Sequence, residues 1–320
     1  MEVLLWIGIP VLVLALLAVG VYLALRRFYK IAFARAAEPQ LDINMLGAPW
    51  TPYLDQIQTG MAWVNSHFDE RVDITAFDGL KLHAGVILRE NARGTALLFH
   101  GYRSRGCLDF SWSAPFYHEL GLNLVIVDER ACGESEGDAI TFGMKERRDV
   151  VSWLAWIRER FGADEAVILG GVSMGCATVL MSLGLDLPAN VKGVIADCGY
   201  TSPWAELAHV LRRDYHLPPF PWMPLMNLMV RRRIGCDLHI STVDALKQNE
   251  RIPVFLVHGG ADDFVPTDFG RENYAACAAE KELLIVPGAG HAVSFLVDPE
   301  TYRARAAAFL DRVLPGRNEE

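Results

Sequence analysis

From residue 72 onward, short runs of aliphatic and β-branched residues alternate with segments whose apolar residues recur every three or four positions. This alternation predicts a parallel β-sheet covered by helices, because strands that run in the same direction are joined by crossover connections, which are usually helical. The runs at 124–127 and 254–257 are apolar at every position, as expected for strands buried on both faces. The predicted strands lie near 72–77, 81–88, 95–99, 123–128, 166–171, 191–196, 253–258 and 282–286.

The first two of these strands are predicted to pair in the antiparallel sense. Asp78 and Gly79 lie between them, and an Asp-Gly pair is a common two-residue turn of β-hairpins. We expect helices on both faces of an eight-stranded, mostly parallel sheet. The predicted helices lie near 110–120, 144–161, 174–185, 268–279 and 299–314.

One region, at about 200–250, interrupts the alternation. It contains no convincing strand and is rich in proline, tryptophan and methionine. We interpret it as a helical cap, because an insertion of this kind can close over a pocket and exclude water. Its apolar side chains either line that pocket or pack as an additional helical layer.

The N-terminal segment is predicted to span a membrane. Residues 3–25 carry no charge, and as a helix they would extend about 34 Å, which exceeds the roughly 30 Å of a bilayer hydrocarbon core. The following residues show no clear periodicity. We therefore divide the chain into a transmembrane anchor at 1–30, a connecting segment at 31–70 and a globular domain at 71–320.

The charges beside this segment favour an uncleaved anchor over a secretory signal peptide. A signal peptide has basic residues before its apolar run, whereas here Glu2 precedes the run and Arg26, Arg27 and Lys30 follow it. Residues 34–36 only loosely resemble a cleavage site. Because basic residues remain on the cytoplasmic side, we expect a single-pass membrane protein with a cytoplasmic domain.

The composition argues against several classes of function. With 320 residues, of which 52% are hydrophobic and 22% charged, the chain is too apolar to be disordered. Its net charge of −9 argues against nucleic acid as a partner, because binding to phosphates requires a basic surface. The six cysteines have no CxxC spacing, so we predict no metal site, no disulfide framework and no cofactor.

The sequence GVSMG at 171–175 marks a candidate nucleophile. It follows a predicted buried strand and precedes a predicted helix, which is the position of a nucleophile elbow. Ser173 would occupy a tight turn that exposes its hydroxyl, and the flanking glycines would avoid collisions with neighbouring elements. The N-terminus of the following helix would supply N–H groups and positive potential for a developing oxyanion.

A serine hydroxyl needs a base to become nucleophilic. Among the nine histidines, His291 lies on a glycine-rich loop after the last predicted strand, and we interpret the others as surface or packing residues. The base in turn needs a carboxylate that fixes its tautomer. We predict Asp262 for this role, in a loop after a buried strand, with Asp263 and Asp197 as alternatives.

The loop after the strand that ends at Phe99 is expected to complete the site. Gly101 allows the backbone to turn inward there, and the N–H groups of Tyr102 and Met174 are the candidate donors to an oxyanion. The charged loop at 128–137 is better explained by local hydrogen bonds that maintain its own conformation.

Taken in chain order, these motifs resemble the α/β-hydrolase superfamily, in particular its small bacterial branch of membrane-tethered hydrolases and serine-aminopeptidase-like proteins. The resemblance covers about 72–315 and rests on HGY at 100–102, DERACGESEG at 128–137, GVSMG at 171–175, HGGADDFVP at 258–266 and GAGH at 288–291. It implies an α/β-hydrolase fold with Asp262 as the acid and a cap after the sixth strand. The HGY motif departs from the HGGG of lipases.

We therefore expect a serine hydrolase in which Ser173 attacks an ester, thioester or amide carbonyl, His291 transfers the proton, and water releases the acyl group. A carboxylic ester is the expected substrate class, as a small molecule or a lipid-like acyl compound. The alternatives are a peptidase or acyltransferase that uses the same triad, and a catalytically silent binding protein with the same fold.

Overall fold

A computed structural model of the protein describes residues 2–35, 49–314 and 316. The apolar runs form eight strands, which join in one sheet, as the sequence predicted. The strands are β1 (Glu70–Thr75), β2 (Lys81–Ile87), β3 (Gly94–Phe99), β4 (Leu122–Val127), β5 (Val167–Val172), β6 (Val191–Asp197), β7 (Val254–Gly259) and β8 (Lys281–Val286). Their order is β1-β2-β4-β3-β5-β6-β7-β8. Strand β2 runs antiparallel to β1 and β4, and the other neighbouring pairs are parallel.

The strand ends lie within two residues of the predicted ones. At the first hairpin, strand β1 ends at Thr75 because the turn already begins at Ala76, whose N–H donates to the carbonyl oxygen of Leu80 at 2.8 Å. Gly79 has a φ of 89° in this turn, a backbone conformation that glycine adopts without strain.

The helices agree less closely with the prediction. The predicted helix at 110–120 is shorter in the structure and begins only at Ala114, with Pro115 in its first turn, where proline is tolerated. The helices are α1 (Glu2–Phe33), α2 (Leu54–His67), α3 (Gly106–Asp109), α4 (Ala114–Glu119), α5 (Glu146–Phe161), α6 (Met174–Ser182), α7 (Pro203–Tyr215), α8 (Pro219–Arg233), α9 (Thr242–Gln248), α10 (Thr267–Ala276), α11 (Ser294–Val297) and α12 (Pro299–Val313), and a 3₁₀ turn covers Thr51–Tyr53.

Helix α2 lies in the segment interpreted as a connection without periodicity. Its buried stripe consists of Ile57, Gly60 and Val64, and the glycine in the middle weakens the apolar pattern. A Cβ atom at Gly60 would lie 2.0 Å from the carbonyl oxygen of Ser111, so close packing of the helix requires glycine at this position. Residues 36–48 of the predicted connecting segment lie outside the described residues.

Two hydrophobic cores cover the two faces of the sheet. One face packs against α2, α4, α11 and α12, with Phe309 fully buried. The other face packs against α5, α6 and α9, with Trp153 fully buried. Helices on both faces confirm the predicted layer arrangement and explain why the central strands are apolar throughout.

Helix α1 projects from the domain and rejoins it at its C-terminal end. Residues Ile9–Phe33 are long and apolar enough to cross a membrane, although a signal sequence near an N-terminus would pass the same test. The helix continues to Phe33, three residues beyond the predicted anchor at 1–30. Two backbone contacts end it there: Ala34 forms a β-bridge with Ala139, and the N–H of Ile140 donates to Phe33.

The insertion between β6 and β7 consists of helices α7, α8 and α9, in the region where a helical cap was predicted. Helix α7 begins after Ser202, whose side chain accepts the N–H of Ala205 at 3.0 Å and so caps the helix. Buried methionines of α8, together with Leu211 of α7, pack against the end of α1 and the start of α6 in a third hydrophobic cluster. The insertion therefore lies over the C-terminal end of the sheet, against α1.

Glu206 of α7 is buried in this insertion. The residue is 4% exposed, and neither carboxylate oxygen has a hydrogen-bond partner within the part of the chain that the structure describes. Burial, together with the negative charges of Asp262 and Asp214, raises the pKa of this carboxyl to about 8, against the opposing effect of Arg213. Glu206 is therefore largely protonated at neutral pH, since a neutral carboxyl is less costly to bury than a carboxylate.

We expect Glu206→Gln to be more stable than the wild type in alkaline solution. The pKa of Glu206 is raised in the folded state above the unfolded value of about 4.3, so its contribution to stability is fully present below about pH 4 and is lost as the pH rises through about 8. Thermal unfolding in one detergent should show that the Tm difference between variant and wild type grows by several degrees from about pH 5 to about pH 8.5.

The exposed Glu272, on α10, provides the matched control. Glu272→Gln should show no such growth of the Tm difference with pH. A Tm difference for Glu206→Gln that does not change with pH would contradict a protonated Glu206 in the folded protein.

Candidate active site

Ser173 occupies the turn between β5 and α6 in a backbone conformation that residues with a side chain rarely adopt, with φ 55° and ψ −113°. The two glycines of the motif allow this turn. A Cβ atom at Gly171 would lie 2.3 Å from the carbonyl oxygen of Gly175, and one at Gly175 would lie 1.9 Å from that of Phe99. The GVSMG sequence therefore satisfies a packing requirement between the turn and β3.

The position of the turn follows from the strand order. The chain leaves β3 toward β4 on one side, and it leaves β5 toward β6 on the other side. These two crossover connections diverge and leave a crevice at the C-terminal ends of β3 and β5. Ser173 follows β5, and the loop after β3 approaches it closely. A Cβ atom at Gly101 would lie 3.3 Å from the Cβ atom of Ser173.

The structure brings together the three side chains that the sequence suggested for the site. The Nε2 atom of His291, in the loop after β8, lies 2.9 Å from the Oγ atom of Ser173. Its Nδ1 atom lies 2.8 Å from Oδ2 of Asp262, in the loop after β7. With Asp262 ionised, Nδ1 donates to the carboxylate and Nε2 is free to accept the serine proton. The ring of Phe264 packs on the imidazole at a centroid distance of 4.9 Å.

Asp262 is held in an ionised and oriented state by its neighbours. Its Oδ1 atom accepts the N–H groups of Phe264 at 3.0 Å and Val265 at 2.9 Å. Burial would raise the pKa of this carboxyl, but interactions with His258 and His291 outweigh burial and hold the pKa well below its ordinary value. Asp262 therefore remains an acceptor at neutral pH.

The two alternative carboxylates are placed differently. Asp263 is exposed, and its backbone carbonyl oxygen accepts hydrogen bonds from the side chains of His209 and Arg213. Asp197 ends β6, and its carbonyl oxygen accepts the N–H of Ser173 at 2.9 Å. Burial raises the pKa of the Asp197 carboxyl to about 6, against the charges of two nearby histidines. Of the three carboxylates, Asp262 is the one whose side chain contacts His291.

Two further residues touch the site, and sequence reasoning gave neither of them a role there. The Nε2 atom of His258 lies 3.5 Å from Oδ2 of Asp262 and 2.9 Å from the carbonyl oxygen of Val265. Asp109 is buried below the loop after β3, where it accepts the N–H of Gly101 at 2.6 Å and the hydroxyl of Ser104. Asp109 follows no strand and belongs to no motif, so only its contacts reveal its connection with the site.

The two backbone groups proposed as oxyanion donors belong to two different elements beside Ser173. Met174 is the first residue of α6, where an N–H group has no acceptor within its own helix. Tyr102 follows Gly101 in the loop after β3, and its ring stacks on Phe142 at 5.1 Å. Burial raises the pKa of the Tyr102 phenol to about 12, so its hydroxyl remains a hydrogen-bond donor.

The residues with metal-binding groups at this site are Cys198, Asp262 and His291, whose ligand atoms lie within 4.8 Å of one another. Asp262 and His291 are already hydrogen-bonded to each other, and His291 is also hydrogen-bonded to Ser173. Burial and the negative charges of Asp197 and Asp262 raise the pKa of the Cys198 thiol well above its ordinary value, whereas metals bind the thiolate. The group is therefore better suited to proton transfer than to metal binding.

A cavity of about 280 Å³ lies over Ser173. Its wall is mainly aliphatic and aromatic, which suits an apolar ligand. The cap and the end of α1 supply most of it, including Leu207, Leu211, Met223 and Met226 of the cap and Leu25, Phe28, Ile31, Ala32 and Phe33 of α1. Lining of a pocket was one of the two roles predicted for the apolar cap residues, whereas the α1 residues were predicted only as parts of the anchor or the connecting segment.

Comparisons with known proteins agree with this architecture. A family model described as the alpha/beta hydrolase fold matches residues 97–220. The chain is 28% identical over 196 residues to the uncharacterized protein YqkD of Bacillus subtilis, a match that covers 61% of this chain and 64% of that protein. It is also 28% identical over 181 residues to the lysophosphatidylserine lipase ABHD12 of Danio rerio, with 55% and 44% covered. The chain thus spans less than two thirds of the length of these two relatives.

Among solved structures, the esterase Pf2001 of Pyrococcus furiosus is similar with a TM-score of 0.63 and 24% sequence identity. The similarity covers 77% of this chain and 91% of the esterase, and at this identity it concerns the fold. The sheet order, the strained serine turn and the family model are consistent with one another. The chain therefore has the α/β-hydrolase fold.

Proposed function

We propose that the protein is a serine hydrolase that cleaves a carboxylic ester through an acyl-enzyme intermediate. The observation that carries this proposal is the continuous hydrogen-bond chain from Ser173 through His291 to Asp262, with contacts of 2.9 Å and 2.8 Å. Such a chain activates a hydroxyl where a substrate carbonyl can approach it, and Ser173 lines the cavity.

In the first half-reaction, the Oγ atom of Ser173 bonds to the carbonyl carbon of the ester while its proton passes to Nε2 of His291. The carbonyl oxygen becomes an oxyanion that accepts the N–H groups of Tyr102 and Met174. The charge on the imidazolium is stabilised by Asp262, which the surrounding hydrogen bonds keep ionised. His291 then protonates the leaving oxygen, the ester C–O bond breaks, and the alcohol departs.

The second half-reaction repeats these steps with water. Water bonds to the acyl carbon as it transfers a proton to His291, and the oxyanion forms at the same position. The bond to Ser173 then breaks, the serine oxygen recovers its proton from His291, and the carboxylic acid is released. An amide or thioester would form the same acyl-enzyme, and an acceptor other than water would produce acyl transfer, so analysis of the products distinguishes these alternatives.

Two observations support an ester with an apolar acyl group. The cavity over Ser173 is lined mainly by aliphatic and aromatic side chains. In addition, two similar proteins are named as a lysophosphatidylserine lipase and an esterase. Both of these activities break carboxylic ester bonds.

We also propose that α1 is a retained membrane anchor and that the domain lies in the cytoplasm. The basic residues Arg26, Arg27 and Lys30 follow the apolar stretch and are exposed. Directly after the helix, Arg35 donates to the carbonyl oxygens of Gly133 and Ser135 at 2.6 Å each. A signal peptide would be removed, whereas this helix end contributes contacts and cavity wall to the folded domain.

Removal of the proposed nucleophile should abolish covalent labelling by a fluorophosphonate. Ser173→Ala removes the attacking oxygen, so we expect no labelling and a loss of kcat of roughly four to six orders of magnitude toward p-nitrophenyl esters. Gel fluorescence measures the labelling. Ser66→Ala, at an exposed serine of α2, is the matched control and should label like the wild type. Equal labelling of Ser173→Ala, or an unlabelled and inactive wild type, would instead support a silent binding protein.

The choice of acid can be tested with two adjacent aspartates. Asp262→Asn keeps the size of the side chain but cannot hold His291 in the required tautomer, so kcat should fall by about 10⁴-fold. Asp263→Asn, at the exposed neighbour, should change kcat by less than about threefold. Steady-state kinetics with a short-chain ester provides the measurement. Similar kcat values for the two variants would refute the assignment of Asp262.

The orientation of the anchor can be tested by protease protection. Because the basic residues follow the apolar stretch, protease added to intact cells should leave a C-terminally tagged domain undigested, as detected by immunoblot. Permeabilised cells are the control, in which the same protease should digest the domain. Digestion from outside intact cells would show that the domain lies on the other side of the membrane.

A further inference from the structure

The end of α1 is joined to the loop that carries the proposed oxyanion donor. The hydroxyl of Tyr102 lies 3.1 Å and 2.9 Å from the carbonyl oxygens of Ile31 and Ala32, in the last turn of α1. The guanidinium of Arg103 donates to the carbonyl oxygens of Ile31 at 2.7 Å and Ala34 at 3.1 Å. These contacts satisfy carbonyl groups that a helix end leaves without partners. They also place α1 directly beside Ser173.

One face of the last turns of α1 lines the cavity. Leu25, Phe28 and Ala32 are spaced by three and four residues, so they lie along one stripe of the helix. Leu25 is 5% exposed, although residues 9–20 of the same helix are all exposed. The ring of Phe28 contacts the cap through Tyr215 at 5.1 Å and Trp222 at 6.1 Å. The membrane helix and the cap therefore enclose one apolar space.

This space lies at the depth where the apolar stretch ends. Leu25 is the last residue before Arg26, and the stripe from Leu25 to Ala32 extends about 10 Å along the helix. The polar region on each side of a bilayer is roughly 5 to 8 Å thick, so this wall crosses the boundary between hydrocarbon and headgroups. Cap residues close to this wall are also exposed and aromatic, with Phe220 77% and Tyr215 41% exposed. Aromatic side chains favour this boundary.

We propose that the last two turns of α1 form one wall of the acyl-chain site, and that the substrate is a long-chain acyl ester that reaches Ser173 from the bilayer in which α1 is embedded. This inference rests on the proposed function and specifies its substrate class. The cavity volume of about 280 Å³ is near the lower limit of ligand pockets, about 300 Å³, so it accommodates part of one chain and not a bulky ester with several chains. The rest of the chain stays in the membrane.

Substitutions that introduce a larger side chain on α1 and so fill the cavity test whether α1 forms a wall of the acyl-chain site. The full-length protein in detergent micelles is assayed with p-nitrophenyl stearate and p-nitrophenyl acetate. Leu25→Trp should lower kcat/KM for the stearate at least tenfold and change that for the acetate less than threefold, because only the long chain needs the filled space. Leu16→Trp is the matched control, since Leu16 is 63% exposed on the same helix, and it should leave both values unchanged.

A second variant covers the case in which Leu25→Trp disturbs folding. Ile31 lines the cavity but is 42% exposed, so Ile31→Trp has room to be accommodated and should show the same selective loss with the stearate. Labelling of Ser173 by a small fluorophosphonate measures the intact site in each variant. If variants that label normally keep the stearate-to-acetate ratio of Leu16→Trp, α1 is not a wall of the acyl site. A wild type that neither labels nor cleaves the acetate would refute the proposed function instead.

The route of entry is tested in phosphatidylcholine vesicles that contain the reconstituted protein. The stearate ester is placed either in the same vesicles or in separate, protein-free vesicles. Each methylene of the acyl chain strengthens retention in the bilayer, so this long-chain ester exchanges slowly between vesicles. Entry from the membrane predicts rapid hydrolysis in the same vesicles and at least tenfold slower hydrolysis from separate ones. Equal initial rates would show that the substrate arrives through water and would overturn this part of the proposal.

Discussion

The site depends on the close contact between the start of α6 and the end of β3. Gly175 lies where any side chain would collide with the carbonyl oxygen of Phe99, so the two elements approach as closely as backbone allows. This contact holds Ser173 at a positive φ, a conformation that costs on the order of 1 to 3 kcal/mol. Close packing on a buried parallel sheet provides the surroundings that maintain such local strain.

Polar contacts extend outward from this point to the rest of the site. Asp109 holds Gly101 beside Ser173, and the next residue, Tyr102, contacts the last carbonyl groups of α1. On the other side, Asp262 orients His291 through contacts that its own loop provides. A displacement of the end of α1 would therefore act directly on the loop beside Ser173, because hydrogen bonds of Tyr102 join that loop to the helix end.

The parts of the fold that could be predicted are those with a strong local pattern. The strand at 254–259 is apolar along most of its length, and burial on both faces makes that pattern visible without knowledge of its neighbours. Helix α2 was missed because Gly60 interrupts its apolar stripe, and the reason for this glycine is its contact with Ser111. The predicted helix at 110–120 begins only at Ala114, because Pro115 favours the first turn of a helix, a signal that outweighs the apolar spacing around it.

Local patterns in the sequence were enough to predict the eight strands, the membrane-length helix and the serine elbow, because each depends on residues that are close together in the chain. In the structure, Asp262 rather than Asp263 or Asp197 contacts His291, as the sequence favoured. Two other features had no local sequence signal, namely the position of Asp109 under the Gly101 loop and the placement of Leu25 in the cavity wall. Asp109 is only eight residues from Gly101, but their loop lies beside Ser173 because β3 and β5 are neighbours in the sheet. Leu25 reaches the cavity because the end of α1 packs against the cap.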